Sequence, residues 1–254
     1  MFRTKSKPRQ IACLFTVLLA FSTIVMARAH AEDDDDAADA GNRLIVMADI
    51  NHDGVPDLVE ALPPTSESDG RGILQVTLGR SGSGFLPPAS MPVLDSKPRA
   101  IAAADFNRDG IPDVIVGDDD GRLMLFLSDG TGTLTPAGDL AHFDSVVSVA
   151  VADFNRDGIP DIVVSDWRAS VVTVLLGTAN SSYKQGWTFP MRMPGTSPHV
   201  MAADFNGDGI PDLAVIYDSD DGDTYDVKTG NGDGGFTDAP KLSLVRDPNS
   251  HCAT

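Results

Sequence analysis

Short apolar runs alternate with polar turns along the chain from about residue 42 onward. An apolar run ends immediately before each of four Asp-rich segments, a β-branched run follows each segment, and a third apolar run leads into a Gly-rich turn. Runs this short, bounded by turn residues, are typical of buried strands. The first runs lie at 44–48, 101–104, 146–152 and 200–203, the second at 58–59, 114–116, 162–164 and 213–216, and the third at 73–78, 123–127, 171–176 and 225–229.

The Asp-rich segments are near-copies of one another. They read D-I-N-H-D-G-V-P-D at 49–57, D-F-N-R-D-G-I-P-D at both 105–113 and 153–161, and D-F-N-G-D-G-I-P-D at 204–212. Their first aspartates are 56, 48 and 51 residues apart, and a unit of this size with four short strands matches one propeller blade. We therefore predict an all-β fold, a β-propeller-like array of four four-stranded antiparallel blades that forms a small closed ring or an open arc. The predicted units are 42–97, 98–145, 146–197 and 198–245.

Each Asp-rich segment carries oxygen donors at the spacing of a calcium loop. Positions one, three and five turn their side chains toward one centre, the glycine at position six permits the sharp turn, position seven offers its carbonyl, and the aspartate at position nine closes the shell. No cysteine or recurrent histidine accompanies them, so zinc is a poor candidate. We predict about four Ca²⁺ ions. The predicted metal ligands are Asp49, Asn51, Asp53, Val55 and Asp57; Asp105, Asn107, Asp109, Ile111 and Asp113; Asp153, Asn155, Asp157, Ile159 and Asp161; and Asp204, Asn206, Asp208, Ile210 and Asp212.

The net charge narrows the range of partners. The chain carries 19 basic and 37 acidic side chains, for a net charge of −18. Nucleic acid and anionic membrane surfaces both require a basic protein surface, so neither is an expected partner. Acids clustered in loops favour divalent cations instead.

The first 31 residues have the three parts of a secretory signal peptide. Basic residues up to Arg9 precede an uncharged apolar run at 11–26, and Ala29-His30-Ala31 offers a small-x-small cleavage site. The apolar run is shorter than the ~20 residues of a membrane-spanning helix. We therefore expect a secreted, periplasmic or cell-surface protein that is not inserted in a membrane after cleavage. Residues 32–41 are predicted to be an acidic, disordered leader, and 246–254 a C-terminal tail.

The loop D-F-N-x-D-G-I-P-D, the apolar strand after it and the G-x-G-x-F turn resemble the FG-GAP or VCBS repeat family over about residues 43–245. That family supplies calcium-loop blades in integrin α-chain heads and in many bacterial exported proteins. The resemblance implies a β-propeller, calcium held by the loop residues named above, and a role in adhesion or in ligand or carbohydrate binding. Such propellers commonly have about seven blades, whereas this chain supplies four units. An open arc would leave edges for association, so a homo-oligomer is one expected assembly.

Loops that differ between the units are the expected ligand region, because variable loops on a repeated frame usually carry specificity. Meander connectivity places them at the end opposite to the metal loops, at 62–71, 118–122, 166–170 and 218–224. Trp167 and Arg168 are the most ligand-like pair among them, since an exposed indole can stack on a sugar ring. Partial packing of the indole between blades is the alternative. The expected partner is an extracellular protein or a glycan.

Three function classes follow from these features. The favoured one is an exported calcium-binding repeat protein that acts as an adhesion or ligand-binding module, with calcium stabilising the blade loops. The alternative is a purely structural calcium-stabilised scaffold or a fragment of a larger surface protein. A hydrolase that uses the acidic loops is least favoured, because the chain has no G-x-S-x-G, H-E-x-x-H or P-loop motif. We therefore expect that the protein is not an enzyme.

Cleavage of the signal peptide makes a simple prediction. The exported protein should begin at Glu32, because Ala31 ends the small-x-small site. Intact-mass spectrometry of protein recovered outside the cytoplasm checks this. Replacing Ala29 and Ala31 together by leucine should leave the precursor uncut, and recovery of the wild-type chain with residues 1–31 still attached would contradict the prediction.

Overall fold

The structure, a computed structural model, describes residues 27–28, 43–64, 71–82, 84–89, 93–193, 198–217 and 224–239. The predicted leader and tail lie outside these residues, as does the predicted signal peptide apart from 27–28. Parts of two predicted ligand loops, 65–70 and 218–223, also lie outside them. No helix in the described part of the chain is long and apolar enough to cross a membrane.

The described residues form four β-sheet blades. Blade 1 contains β1 (Ala27–Arg28), β2 (Leu44–Ala48), β3 (Asp57–Leu62), β4 (Gly72–Thr77), β5 (Gly79–Arg80), β6 (Gly84–Phe85) and β7 (Val93–Leu94). Blade 2 contains β8 (Pro98–Ala104), β9 (Asp113–Asp118), β10 (Arg122–Ser128) and β11 (Leu134–His142). Blade 3 contains β12 (Val146–Ala152), β13 (Asp161–Asp166), β14 (Val171–Gly177) and β15 (Tyr183–Pro190). Blade 4 contains β16 (His199–Ala203), β17 (Asp212–Tyr217), β18 (Thr224–Gly230) and β19 (Phe236–Asp238).

Each blade is an antiparallel meander in which strands adjacent in sequence are adjacent in the sheet. This confirms the predicted all-β fold and the four-stranded blades of a four-bladed β-propeller. Blade 1 departs from the pattern, because β5 and β6 form a separate hairpin and the outer partner of β4 is the short β7. Pro87 and Pro88 follow β6, and proline cannot donate an N–H to a strand ladder. The two-residue strand β1 pairs with β2 at the edge of this blade, and cleavage after Ala31 would remove it.

The Asp-rich segments connect the first two main strands of each blade. Pairing sets Ala48 opposite Asp57 in blade 1, and the same register recurs at Ala104 and Asp113, Ala152 and Asp161, and Ala203 and Asp212. Position nine of each segment is therefore the first residue of the second strand. The Gly-rich turns connect the last two strands, so the meander brings them to the same edge as the Asp-rich segments.

Apolar side chains between neighbouring blades form three cores, one each for blades 1 and 2, 2 and 3, and 3 and 4. The inner strands approach closely because they are rich in small residues. At Gly117, for example, an added Cβ would lie 2.2 Å from Val146 Cγ1 in the next blade. No side chain larger than hydrogen fits at that position without a shift of the blades.

Blades 1 and 4 share no packed core in the described part of the chain. The first main strands pack in series, β2 on β8, β8 on β12 and β12 on β16, whereas β16 and β2 make no comparable contact. None of the three cores combines residues of blade 1 with residues of blade 4. Of the two predicted arrangements, the described residues form the open arc.

Candidate metal sites

The carboxylate at position one organises each Asp-rich loop. In blade 3, Asp153 accepts the N–H of Asp157 at 3.0 Å through Oδ1 and the N–H of Gly158 at 2.9 Å through Oδ2. Gly158 has a φ of 81°, a left-handed conformation that a larger residue would adopt only with strain. Both bonds recur in the other loops at Asp49, Asp105 and Asp204. The four loops are therefore copies in geometry as well as in sequence.

Positions three and five add further oxygens to the same exposed loop. Asn155 accepts the N–H of Asp157 at 3.0 Å, and its amide donates to Asp157 Oδ2 at 3.0 Å. Asp157 Oδ1 accepts the N–H of Ile159, the residue at position seven, at 2.8 Å. The equivalent bonds recur at Asn51 and Asp53, Asn107 and Asp109, and Asn206 and Asp208. The loop's own hydrogen bonds therefore hold the predicted ligands of positions one, three, five and seven in one segment.

The aspartate at position nine is buried beneath the loop. Asp161 Oδ2 accepts the N–H groups of Phe154 at 2.9 Å and Asn155 at 3.3 Å, and Oδ1 accepts the N–H of Gly177 at 2.8 Å. This carboxylate thereby ties the loop to the Gly-rich turn of its own blade. The corresponding ties join Asp57 to Gly79, Asp113 to Ser128, and Asp212 to Gly230. We call this arrangement the position-nine clamp.

The clamp is a role that the sequence pattern did not reveal. The spacing of the nine residues relates only neighbours within the loop. It therefore predicted that position nine faces a metal, but not that it bonds to the Gly-rich turn. The donor on the turn lies 15 to 22 residues further along the chain. Its recurrence as the first residue of each Gly-rich turn, at Gly79, Ser128, Gly177 and Gly230, was the available indication.

Burial determines how readily the clamp carboxyls ionise. It raises the pKa of Asp113 and Asp161 to about 6, although backbone N–H donors oppose the rise. Burial also raises the pKa of Asp57. In contrast, the N–H of Gly209 holds the pKa of the position-one carboxyl Asp204 below its ordinary value. The carboxyl at position one of that loop is thus ionised and can act as a metal ligand. The clamp carboxyls, in contrast, depend on hydrogen bonds from backbone N–H groups to stay ionised.

The donor chemistry of the loops fits a hard cation. Each loop offers carboxylate and amide oxygens and a backbone carbonyl, which is the ligand set that calcium prefers. Within the described ranges, no three Asp, Glu, His or Cys side chains stand together as a preformed metal centre. The loop oxygens instead point at the loop's own N–H groups, and the fit therefore rests on the type and spacing of the donors.

A second recurring polar position lies at the far end of the second strand. Asp166 in blade 3 accepts the N–H groups of Asp144 at 2.8 Å and Ser145 at 3.1 Å, which belong to the linker from blade 2. In blade 4 the equivalent residue is Tyr217, whose hydroxyl accepts the N–H of Arg192 at 3.0 Å in the linker from blade 3. These residues hold consecutive blades together, and only the shared offset from position nine could have indicated them.

The equivalent residue of blade 2 is Asp118, and its contacts differ. Its Oδ1 accepts the N–H of Arg122 at 2.9 Å, while Oδ2 is buried and has no hydrogen-bond partner among the described residues. Burial raises the pKa of Asp118 for this reason. The side chain of Arg122 instead links the blades, since it donates to Asp95 at 2.8 Å and to both oxygens of Asp139.

The predicted ligand pair Trp167 and Arg168 lies in the hairpin between β13 and β14. This hairpin is at the opposite end of β13 from the metal loop. The indole of Trp167 is 38% exposed, so it is only partly covered by its own blade. Arg168 donates to the carbonyl of Asp144 at 3.2 Å, which orients its guanidinium toward the linker from blade 2. The structure therefore separates the metal residues from the proposed ligand residues by the length of a strand.

Residues 105–164, which include the second and third metal loops and the strands between them, match the family model described as an FG-GAP-like repeat. This stretch is an FG-GAP-like repeat. The match confirms the family resemblance seen in the sequence, and the first and fourth loops repeat the same nine-residue pattern. No curated protein is significantly similar to the chain in sequence.

Solved structures that match part of the chain include the NanB sialidase from Streptococcus pneumoniae and BBS1N in its complex with ARL6DN. The sialidase match has 13% identity and a TM-score of 0.42, and covers 65% of this chain and 26% of the sialidase chain. The BBS1N match has 14% identity and a TM-score of 0.45, and covers 85% of this chain and 58% of that one. The matches thus cover about a quarter of the sialidase chain and a little over half of the BBS1N chain.

The clamp predicts different effects for two aspartates of one FG-GAP-like loop. Asp161→Asn places an amide donor against N–H groups, so it should lower the free energy of unfolding by about 1–3 kcal/mol. Asp157→Asn, in the exposed part of the same loop, should change it by less than about 0.5 kcal/mol. Urea unfolding with chelator present measures both effects without any contribution from metal. Equal effects of the two substitutions would contradict the clamp.

Proposed function

We propose that this chain is an exported calcium-binding propeller that presents loops for a protein or glycan ligand. The observation that carries the proposal is the fourfold recurrence of one oxygen-rich loop at one edge of the blades. Aspartate or asparagine stands at positions one, three, five and nine in every copy. The loop's own hydrogen bonds use some of the lone pairs of these oxygens, and a bound cation would use others at all four positions together.

Calcium would be held by the side-chain oxygens of positions one, three and five and by the carbonyl of position seven. The carboxylate of position nine is also a proposed ligand, because each carboxylate oxygen has two lone pairs and the N–H of Gly177 uses only one on Asp161 Oδ1. The ion supplies positive charge to a loop that carries three carboxylates. It therefore offsets repulsion within the loop and the cost of burying the ionised clamp.

The proposed role of calcium is to stiffen the frame. Position nine joins the metal loop to the Gly-rich turn, so an ion that orders the loop also orders the outer strands of the blade. Extracellular calcium modules bind with dissociation constants of about 10⁻⁴–10⁻³ M. Occupancy would then follow export into a calcium-rich medium. The acidic net charge of −18 fits a protein whose loops are neutralised outside the cell.

Calcium should raise the melting temperature of the protein, and magnesium should do so less. At ten times the dissociation constant, one site contributes about 1.4 kcal/mol to the free energy of unfolding. Calorimetric titration should find about four ions, and Asp157→Asn should remove one of them. Asp120→Asn is the matched control, because Asp120 is an exposed acid outside the metal loops. An identical melting midpoint in calcium and in chelator would overturn the proposal.

The proposed ligand region is the loop edge opposite to the metal loops. Trp167 presents a partly exposed indole there, beside a guanidinium that Asp144 holds in place. An aromatic face with an adjacent hydrogen-bond donor suits a sugar ring or an interface hot spot. This arrangement favours binding over catalysis, since both reactive groups that accompany the pair in the 166–170 hairpin are engaged with the backbone. The carboxylate of Asp166 accepts backbone N–H groups, and the hydroxyl of Ser170 donates to the carbonyl of Trp167.

A glycan array with and without calcium tests the ligand proposal. Trp167→Ala should abolish the binding seen with the wild-type protein while leaving the melting temperature within about 2 °C, because a partly exposed side chain contributes little to the core. Silence of the wild-type protein on glycans and on extracellular-matrix proteins, with intact folding, would favour the structural scaffold. Release of free sugar from any array glycan would favour the hydrolase.

A further inference from the structure

The contacts between blades follow one rule. The side chain at position two of each of the first three metal loops is buried against the residue that closes the Gly-rich turn of the next blade. Between blades 3 and 4 these residues are Phe154 and Phe236, whose ring centroids are 5.3 Å apart at an interplanar angle of 62°. The equivalent pairs are Ile50 with Leu134 and Phe106 with Tyr183, which share the cores between blades 1 and 2 and between blades 2 and 3.

The backbone follows the same rule. The carbonyl of the position-two residue accepts a hydrogen bond from the turn of the next blade, from Ser128 Oγ to Ile50 at 2.8 Å and from the N–H of Gly234 to Phe154 at 3.2 Å. Each blade therefore has a trailing face, which carries position two, and a leading face, which carries the turn-closing residue. Three trailing faces meet three leading faces in the described chain.

Blade 4 has a trailing face that no described residue covers. Its position-two residue, Phe205, is 48% exposed, whereas Phe106 and Phe154 at the same position are buried. Met201, three residues before the loop, is 51% exposed, whereas its counterpart Ala150 is buried. Two large apolar side chains thus face outward where the rule would place another blade.

Blade 1 has a matching exposed apolar surface on its leading face. Its turn-closing residue, Phe85, is 53% exposed, whereas Leu134 and Phe236 at the same position are buried. Met47 is 37% exposed, and its counterpart Ala103 is buried against blade 1. Phe205 and Phe85 are therefore the two halves of the contact that Phe154 and Phe236 make inside the chain.

The charges of the two faces are complementary as well. Between blades 3 and 4 the basic side chain lies on the loop, where Arg156 Cδ would be 3.3 Å from a Cβ added to Gly232 of the turn. Blade 4 has Gly207 in place of that arginine, which leaves its loop acidic. Blade 1 has the exposed Arg80 in its turn, at the position of Asn231 in blade 4. In the blade 3 and blade 4 contact the basic side chain is on the trailing face, whereas a contact between blades 4 and 1 would have it on the leading face.

We propose that the trailing face of blade 4 binds the leading face of blade 1 in a second copy of this chain. Met201, Phe205 and the acidic loop of one copy meet Met47, Phe85 and Arg80 of the next, in the register of the blade 3 and blade 4 contact. The contact is head-to-tail, so it extends the arc of blades from one copy into the next and closes when the accumulated rotation completes a ring. The apolar part of the contact does not depend on the proposed metal and ligand sites, whereas bound calcium would reduce the negative charge that the loop of blade 4 offers to Arg80.

Light scattering during size-exclusion chromatography tests the proposal on the exported full-length chain. The wild-type protein should have the mass of two or more chains at micromolar concentration. Phe205→Asp and Phe85→Asp should each weaken association at least about 30-fold, the effect of losing one interface hot spot. Thr135→Asp, which changes an exposed residue on the outer strand of blade 2 and on neither face, is the control and should stay associated.

Mixing the two variants gives the sharper measurement. Phe205→Asp keeps an intact leading face and Phe85→Asp keeps an intact trailing face, so the mixture should form a dimer that neither variant forms alone. A contact between two identical faces would give no such complementation and would overturn the proposal. A monomeric wild-type protein would overturn it too. So would a lower melting temperature of Phe205→Asp than of wild type at a concentration where both are monomeric, because association then contributes nothing and the result would place Phe205 under its own chain.

Discussion

The position-nine clamp is the interaction on which the rest of each blade depends. A buried carboxylate accepts N–H groups from the metal loop and from the Gly-rich turn, and so joins two connections that the chain separates by two strands. A buried carboxylate without donors would be costly, and donors without the carboxylate would be unsatisfied. The loop and the turn therefore order each other, and the outward oxygens of positions one, three and five are held in place from below.

The same nine residues also connect one blade to the next. Position two projects into the neighbouring blade, position nine faces into its own blade, and positions one, three and five face solvent. One loop thus serves packing within a blade, packing between blades and the proposed calcium site. This sharing explains why the loop tolerates so little variation across the four copies, since a change at any of these positions affects a different contact. Position four, whose side chain takes part in none of the hydrogen bonds that shape the loop, is the position that varies most: His52, Arg108, Arg156 and Gly207.

The differences between the copies reflect the contacts that each blade makes with its neighbours. Asp118, Asp166 and Tyr217 occupy one position at the end of the second strand, yet only Asp166 and Tyr217 accept N–H groups of a linker, whereas Asp118 accepts the N–H of Arg122 in its own hairpin. Blade 1 interrupts its fourth strand with prolines, and its turn-closing Phe85 is exposed as a consequence of its place at the start of the arc. An array of repeats has two end blades by necessity, and in such arrays the ends need a cover that the inner repeats obtain from one another.

Local pattern was sufficient for the strands, the blade count and the spacing of the loop donors, because these depend on neighbours within about ten residues. The clamp, the linker contacts of Asp166 and Tyr217, and the exposure of Phe205 were not predictable in that way. Phe106, Phe154 and Phe205 have the same immediate neighbours in sequence, and only the presence or absence of a following blade separates a buried ring from an exposed one.

By itself, the sequence determined an all-β repeat with four oxygen-rich loops, since a nine-residue turn with fixed donor positions is a local property of the chain. The tertiary structure decided that position nine is a clamp, that the arc stays open between blades 4 and 1, and that two matching apolar faces remain at its ends. These features arise from contacts between residues far apart in sequence, such as the hydrogen bond from Ser128 to Ile50 across 78 positions. Such contacts exist only after the blades have packed, because no local preference specifies which distant surface a strand or turn will meet.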